Sequence, residues 1–272
     1  MNPRKPQDVP LIEIRNATIF RGDTCVFENL NLTITQHESA VILGPNGSGK
    51  TTLLKVINRE IYPASRNGSM VRILGRERWN VWELRSHIGI VSHDLQMRYR
   101  GSVTGRDVVL SGYHASVGVH GTLAGKINAA QRKRASNIMA ELGIDALAGT
   151  ALQHMSTGQQ RRFLLGRALV HDPHTLILDE PTAGLDLAAS FDYLARIRQL
   201  ADNGKSIVLV THILNEIPPH MDRVILLSDG KIVADGVKSE VLSEENLSRT
   251  YATRVRISRV DGYYLAYPAG NG

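Results

Sequence analysis

The sequence predicts an α/β fold assembled around a phosphate-binding loop, and three observations carry that prediction. The first is the stretch VILGPNGSGKTT, in which an aliphatic run ends in Gly44, Pro45, Asn46, Gly47, Ser48, Gly49, Lys50, Thr51 and Thr52. The second is a pair of continuous apolar runs, Thr175 to Asp179 and Ser206 to Val210. Runs of that kind are typical of central parallel strands, buried on both faces. The third is an alternation of apolar and polar residues through Leu11, Ile12, Ile14, Ala17 and Ile19. Across the turn Arg21 to Thr24 it resumes at Leu30, Leu32 and Ile34, which gives an antiparallel partner.

The first stretch fits G-x-x-x-x-G-K-S/T, with a strand from Ser39 to Leu43 before it and a helix from Thr52 to Asn58 after it. That is the context the motif requires. The glycines let the backbone turn sharply and approach a phosphate chain, and the loop amides then form an anion nest at a helix start. Lys50 is placed to reach the β- and γ-phosphates, and Thr51 to put its hydroxyl on Mg²⁺. The ligand class is a nucleoside triphosphate.

The remaining elements follow in order. Val71 to Leu74 and Ile88 to Val91 are short strands. The segment from Gly101 to Thr150 is longer and helical in pattern, with Ile138, Met139 and Leu142 as the apolar stripe of a helix over Gln131 to Leu142. Ser156 to Val170 is a helix, charged early and apolar late. Leu187 to Ala201 is an amphipathic helix closed by Asn203 and Gly204. Val224 to Leu227 and Lys231 to Ala234 flank Ser228, Asp229 and Gly230, a hairpin signal. The tail from about Glu240 is mixed, with an aromatic cluster of Tyr263, Tyr264 and Tyr267. No internal repeat is present, so one phosphate-loop domain is expected.

Composition narrows the function classes. The chain has 272 residues and a single cysteine, Cys25, which excludes a disulfide framework and points to a reducing compartment. No apolar run reaches membrane-spanning length. The N-terminus MNPRKPQDVP is polar and lacks the apolar core of a signal peptide, so a cytoplasmic protein is expected. The net charge of +6 is scattered along the chain and reads as solvated surface, with no nucleic-acid partner expected.

A second set of residues completes the chemistry. The strand Thr175 to Asp179 ends in Asp179 and Glu180. At the carboxyl end of a strand in an open α/β sheet, Asp179 is placed to hold Mg²⁺. Glu180, one residue on, is placed to act on the attacking water. Met155, Ser156, Thr157, Gly158 and Gln159 open the helix that carries Arg161 and Arg162. A hydroxyl, backbone amides and the helix dipole together make a further anion site, although an N-capped helix alone also accounts for the pattern.

Together these residues resemble the ATP-binding cassette (ABC) ATPases. Ser156 to Gln159 look like that family's signature motif, usually written LSGGQ, in its place before an apolar strand ending in Asp-Glu. Ala183, Gly184, Leu185 and Asp186 look like its D-loop, and Thr211 and His212 like its switch histidine. The likeness runs from about Leu11 to Val241. It implies a P-loop NTPase of ABC type, with a mixed central sheet, an antiparallel β subdomain and an inserted α-helical subdomain at about 97–165. Residues 1–10 are then a flexible N-terminus, 11–241 the ATPase domain and 242–272 a C-terminal tail.

The resemblance also implies a mechanism that one chain cannot complete. Two cassettes pack head to tail around two ATP molecules, so the phosphate loop of one faces Ser156, Gly158 and Gln159 of the other. Phe20 falls where the family places an aromatic under the adenine. His212 is expected at the γ-phosphate, linked to Glu180 and to Asp186 of the opposite chain. One position departs from the pattern: His93 stands where the family usually has a glutamine that touches Mg²⁺, and it is expected at the metal with Thr51 and Asp179, although an imidazole is a poorer ligand for a hard cation. Gln96 is close enough in sequence to replace it if the loop is shifted.

One cassette without long coiled coils argues against translation- and repair-type members and for the energising subunit of a transporter. Its partners are then a second cassette chain, forming a homodimer, and separate membrane-spanning permease subunits, with the protein peripheral on the inner face of a bacterial membrane. A soluble regulator is the alternative. The stretch Val103 to Tyr113 looks like importers of metal chelates and oxyanions. THILNEIPP and VSHDLQ are similar to molybdate-transport-like ATPases. The docking surface for the permease is expected around Leu95 to Val109.

Overall fold

The structure, a computed structural model, describes residues 9–99, 101–117 and 125–269. Nearly all of the expected N-terminal segment, and residues 118–124 of the expected helical insert, lie outside the described residues. The chain divides into two compact units, Met1–Val81 with Ser206–Gly272 and, between them, Trp82–Lys205.

In the first unit β1 (Ile12–Arg21) pairs antiparallel with both β2 (Thr24–Ile34) and β4 (Met70–Ile73). Ile12 stands between Ile34 and Ile73, and Ile14 between Leu32 and Val71, and all six side chains are buried. The alternation read from the sequence is interrupted. The register shifts between Ile14 and Ala17, where Asn16 takes a left-handed backbone (φ 45°), so the apolar face is kept across a bulge.

The same unit holds a mixed sheet. β3 (Ala40–Leu43) lies between β7 (Ser206–Thr211) and β8 (Arg223–Ser228) and is parallel to both. β9 (Lys231–Val237) adds an antiparallel edge to β8 through a turn at Asp229 and Gly230, both with positive φ, as a two-residue hairpin requires. All four residues of β3 are buried, which explains its unbroken aliphatic sequence. α1 (Lys50–Ile57) follows β3 through the phosphate loop.

The C-terminal segment is folded. α8 (Lys238–Val241) and α9 (Glu244–Thr250) lead to a hairpin of β10 (Val255–Val260) and β11 (Tyr263–Pro268), turning at Asp261 and Gly262. In chain order these helices follow seven other α-helices among the described residues, five of which belong wholly to the second unit.

In that second unit β5 (Ile88–Val91) and β6 (Thr175–Asp179) form a parallel pair. α2 (Val81–His87) enters it, and α3 (His93–Met97), α4 (Gly105–Ser111), α5 (Ala129–Glu141), α6 (Thr157–Leu169) and α7 (Leu187–Asp202) follow. α5 begins earlier than its apolar stripe suggests. Asn128 and Gln131 close a capping box ahead of the buried Ala135, Ile138 and Met139. Capping is a polar signal and hydrophobic periodicity does not show it.

Candidate active site

The phosphate loop is positioned entirely within the first unit. A side chain at Gly44 would place its Cβ 2.2 Å from the Leu227 carbonyl oxygen, so the loop leaves β3 pressed against the end of β8. Gly49 has φ 106° and a Cβ there would lie 2.5 Å from the ring of Phe27, which is fully buried on β2. Both positions therefore need glycine, for close approach and for backbone conformation. Two further bonds set the curvature: Ser48 N donates to the Pro45 carbonyl at 3.2 Å, and Gly230 N donates to the Ser48 carbonyl at 3.2 Å.

Lys50 folds back over this cradle. Its Nζ donates to the carbonyls of Gly44 at 2.7 Å and Pro45 at 2.9 Å, and the side chain is buried. Gly49 is the N-cap of α1 and has no side chain with which to cap it, and no acid lies in the first turn. The positive end of the helix is thus left to an anionic ligand. Ser48 Oγ is buried without a partner among the described residues. Asn46, Gly47 and Thr51 are exposed, whereas Thr52 is buried behind them.

Two more predicted residues lie in this unit. Phe20 is an exposed aromatic near the end of β1, opposite Cys25 of β2. His212 follows the last residue of β7. Because Leu43 is paired with Thr211, the phosphate loop and His212 leave neighbouring strands at the same carboxyl edge. That edge is where open α/β sheets place ligands.

The second unit repeats the arrangement. Val91 pairs with Leu178, so His93 and the pair Asp179 and Glu180 also leave adjacent parallel strands at one end. Glu180 has φ 46°, a left-handed backbone on a residue other than glycine. Such strain persists where surrounding structure imposes it, and it accumulates at functional positions. The turn that follows is closed by Ala183 N on the Glu180 carbonyl, 3.1 Å, and Leu185 N on the Thr182 carbonyl, 3.0 Å. The fully buried Arg161 donates to the Ala183 carbonyl at 3.3 Å and ties this turn to α6.

Ser156 and Gln159 form a reciprocal capping box. Gln159 N donates to Ser156 Oγ at 3.3 Å, and Ser156 N donates to Gln159 Oε1 at 2.9 Å. Gly158 is buried, with room for no more than a Cβ 3.3 Å from that of Ala189 on α7. Asp186 uses its carboxylate to cap α7, accepting from Ala189 N at 2.8 Å.

His93 is exposed at the start of α3, whereas Gln96, one turn on, is half-buried. Gln96 Nε2 donates to Gln160 Oε1 at 2.9 Å, and Gln160 Nε2 donates in turn to the carbonyls of Leu152 and Met155. Gln96 Oε1 is buried without a partner among the described residues. Gln160 was not singled out by the sequence, because a glutamine after the signature carries no pattern of its own. In the segment expected to dock a permease, Met97 is 71% exposed, while Val103, Val108 and Val109 are buried. Phe27 and Tyr251, which touch the loop and the His212 main chain, were also missed. Each is a lone aromatic without a motif.

The chain matches the ABC transporter family over residues 27–183. It is 32% identical over 252 residues to an uncharacterized ABC transporter ATP-binding protein, YlmA, of Bacillus subtilis, covering 91% of this chain and 93% of that one. It is 31% identical over 252 residues to the hemin import ATP-binding protein HmuV of Aliivibrio fischeri, covering 90% of this chain and 92% of that one. Among solved structures, the dimeric structure of a bacterial ABC transporter cassette superposes with a TM-score of 0.67 at 27% identity, covering 83% of this chain and 98% of that one. With its phosphate loop, its Asp-Glu strand and these relatives, the chain belongs to the ABC transporter family as an ATP-binding, ATP-hydrolysing subunit.

Proposed function

We propose that the chain dimerises around ATP and drives import through separate membrane-spanning subunits, from the inner face of the membrane. The observation that carries the ATP-binding part is the loop itself. Lys50 is already folded over a backbone cradle whose helix end has no capping side chain. Triphosphate would lie in that cradle, with Lys50 on the β- and γ-phosphates and Phe20 under the base. Residues 11–241 would form this ATPase body.

The Mg²⁺ that the family implies would be held by the hydroxyl of Thr51 and the carboxylate of Asp179. Both are hard oxygen donors, which fit this cation, and substrate phosphates and water supply its remaining ligands. When bound, the ion neutralises charge developing on the phosphates. Glu180, set by its strained backbone, would orient the attacking water and take its proton, and His212 would donate to the γ-phosphate. Ser156, Gly158, Gln159 and Asp186 would come from a second copy. The dimeric cassette that this chain resembles supports that arrangement.

For the cargo, the hemin-import relative favours a metal chelate over an oxyanion. Met97 and its neighbours around Leu95 offer an apolar point for the permease to dock. The test is to purify the tagged protein from solubilised membranes and identify what comes with it. A multi-span protein is expected, and recovery with ribosomes or DNA would overturn the transporter reading. Uptake of hemin and of molybdate, compared with and without the protein, then separates the two cargo classes.

A further inference from the structure

The C-terminal segment touches both functional edges of the first unit. Tyr251 ends α9, and its hydroxyl donates to the main-chain carbonyl of His212 at 3.3 Å. One residue earlier, the Thr250 carbonyl accepts from Ser228 Oγ at 3.5 Å. Ser228 opens the β8–β9 turn whose Gly230 N holds the Ser48 carbonyl of the phosphate loop. The same two residues of α9 thus reach the histidine loop on one side and the phosphate-loop support on the other.

The histidine loop is tied at other points by the same segment. Lys238 Nζ donates to the carbonyls of Pro218 at 3.2 Å and Pro219 at 2.7 Å. The hairpin turn at Gly262 abuts Pro219, where an added Cβ would lie 2.9 Å from the proline ring. Within the loop, Thr211 Oγ1 bonds the Glu216 carboxylate and accepts from Ile213 N at 3.0 Å. Next to His212 itself, however, a cavity of about 400 Å³ opens between the loop, Tyr251, Leu247 and Leu265. The Tyr251 hydroxyl is a polar tie at that place.

We propose that Tyr251 is a positioning residue for ATP hydrolysis: it holds the main chain of His212, and α9 with the β10–β11 hairpin braces the histidine loop and the phosphate loop together. The inference rests on the assignment of His212 to the γ-phosphate. Burial pushes the Tyr251 phenol up to about 12, so its proton is in place throughout the neutral range and the tie is not a pH switch. A loosened backbone at His212 leaves ATP binding to the phosphate loop intact but lets the imidazole stray from the geometry that the transition state needs.

The test is steady-state ATPase activity of the full chain carrying Tyr251→Phe, which keeps the ring and removes only the hydroxyl. The expected result is a kcat lower by about two- to tenfold, the range of one neutral hydrogen bond, with KM for ATP unchanged and Tm lowered by no more than a few degrees. Tyr267→Phe, on the exposed outer strand of the hairpin, should leave all three at wild-type values. His212→Ala, measured in parallel, separates the two assignments. If it abolishes turnover while Tyr251→Phe leaves kcat unchanged, the positioning role is overturned and the assignment of His212 stands. If His212→Ala itself leaves turnover intact, both are overturned. A Tyr251→Phe variant whose KM shifts and whose Tm falls further than that, along with kcat, would show a merely structural role and overturn the inference.

Discussion

The helix starts of α1 and α6, the two proposed to meet phosphate, are built differently. Neither has an acid in its first turn, so both keep the positive end of the helix dipole unneutralised. At α1 the cap is Gly49, with no side chain to offer, and Lys50 adds a cation pinned by two carbonyls. At α6 the Ser156 hydroxyl and the Gln159 carboxamide already satisfy the amides of each other's residue. What remains there is the hydroxyl hydrogen of Ser156 and the amides beside it. The first start is ready for a phosphate as folded. The second has spent its acceptors on itself and adds a donor only when a phosphate is delivered. A single chain should therefore bind ATP at the phosphate loop, and engagement of the signature should come second, when a partner brings the nucleotide.

The largest effect should come from breaking the ready half. Lys50→Ala removes the cation folded over the cradle and, in the proposed site, its charge-assisted bonds to two phosphate groups. ATP affinity should fall by about a hundredfold or more, measured by titration with a fluorescent nucleotide. The ATP-dependent dimer should vanish with it. Retained affinity would mean that the amides alone bind the nucleotide and that the contrast between the two helix starts is overstated.

Comparable in size, but on turnover and not on binding, is the effect of Glu180→Gln, which leaves both helix starts alone. Turnover should fall by about 10²- to 10⁴-fold, the range for a removed general base, while ATP binding is kept. Because hydrolysis no longer releases the partner, gel filtration at saturating Mg-ATP should show a dimer. A variant that stays monomeric under those conditions would contradict the two-chain site.

Ser156→Ala tests the self-satisfied half. It should leave ATP affinity of the isolated chain at its wild-type value and weaken the ATP-driven dimer. Loss of the cap should also cost about 1 kcal/mol of stability, seen as a lower midpoint in urea unfolding. Ser156→Thr, which keeps an acceptor and a donor, should restore both. If Ser156→Ala lowers affinity in the monomer, the signature is not the second-coming partner that the capping box suggests.

The parts of this molecule that could be read from the sequence are those whose signal is local. Val41 to Thr52 and Thr175 to Glu180 announce strand, turn and chemistry in a few consecutive residues, and the structure places them at strand ends as expected. The hairpin at Asp229 and Gly230 was legible for the same reason. The turn at Asp261 and Gly262 carried the same dipeptide, but its flanking strands are half exposed and lack a clean apolar alternation, so the C-terminal hairpin was not foreseen. Contacts that depend on distant parts of the chain left no trace at all. Phe27 lies under Gly49, Gly230 holds Ser48, and Tyr251 reaches back 39 residues to His212. Nor could spacing reveal the strained backbone of Glu180, which is imposed by the turn around it.

The smallest effect expected concerns His93, a departure from the family pattern. The imidazole is exposed at the start of α3, while the nearby Gln96 is drawn inward and bonded to Gln160, which is itself anchored to the carbonyls just before the signature. The amide that the family uses at this loop is thus present one turn later, tied to α6. His93→Gln should keep or modestly raise ATPase activity, because an amide oxygen serves a hard cation better than an imidazole nitrogen. Gln96→Leu should lower it more than any change at His93 does, since it breaks a half-buried bond to Gln160 of α6. Steady-state ATPase rates of the two variants, measured side by side, decide the matter. A loss beyond about tenfold in His93→Gln, more than a single neutral hydrogen bond supplies, would show that the imidazole has a required role and that the inward glutamine does not replace it.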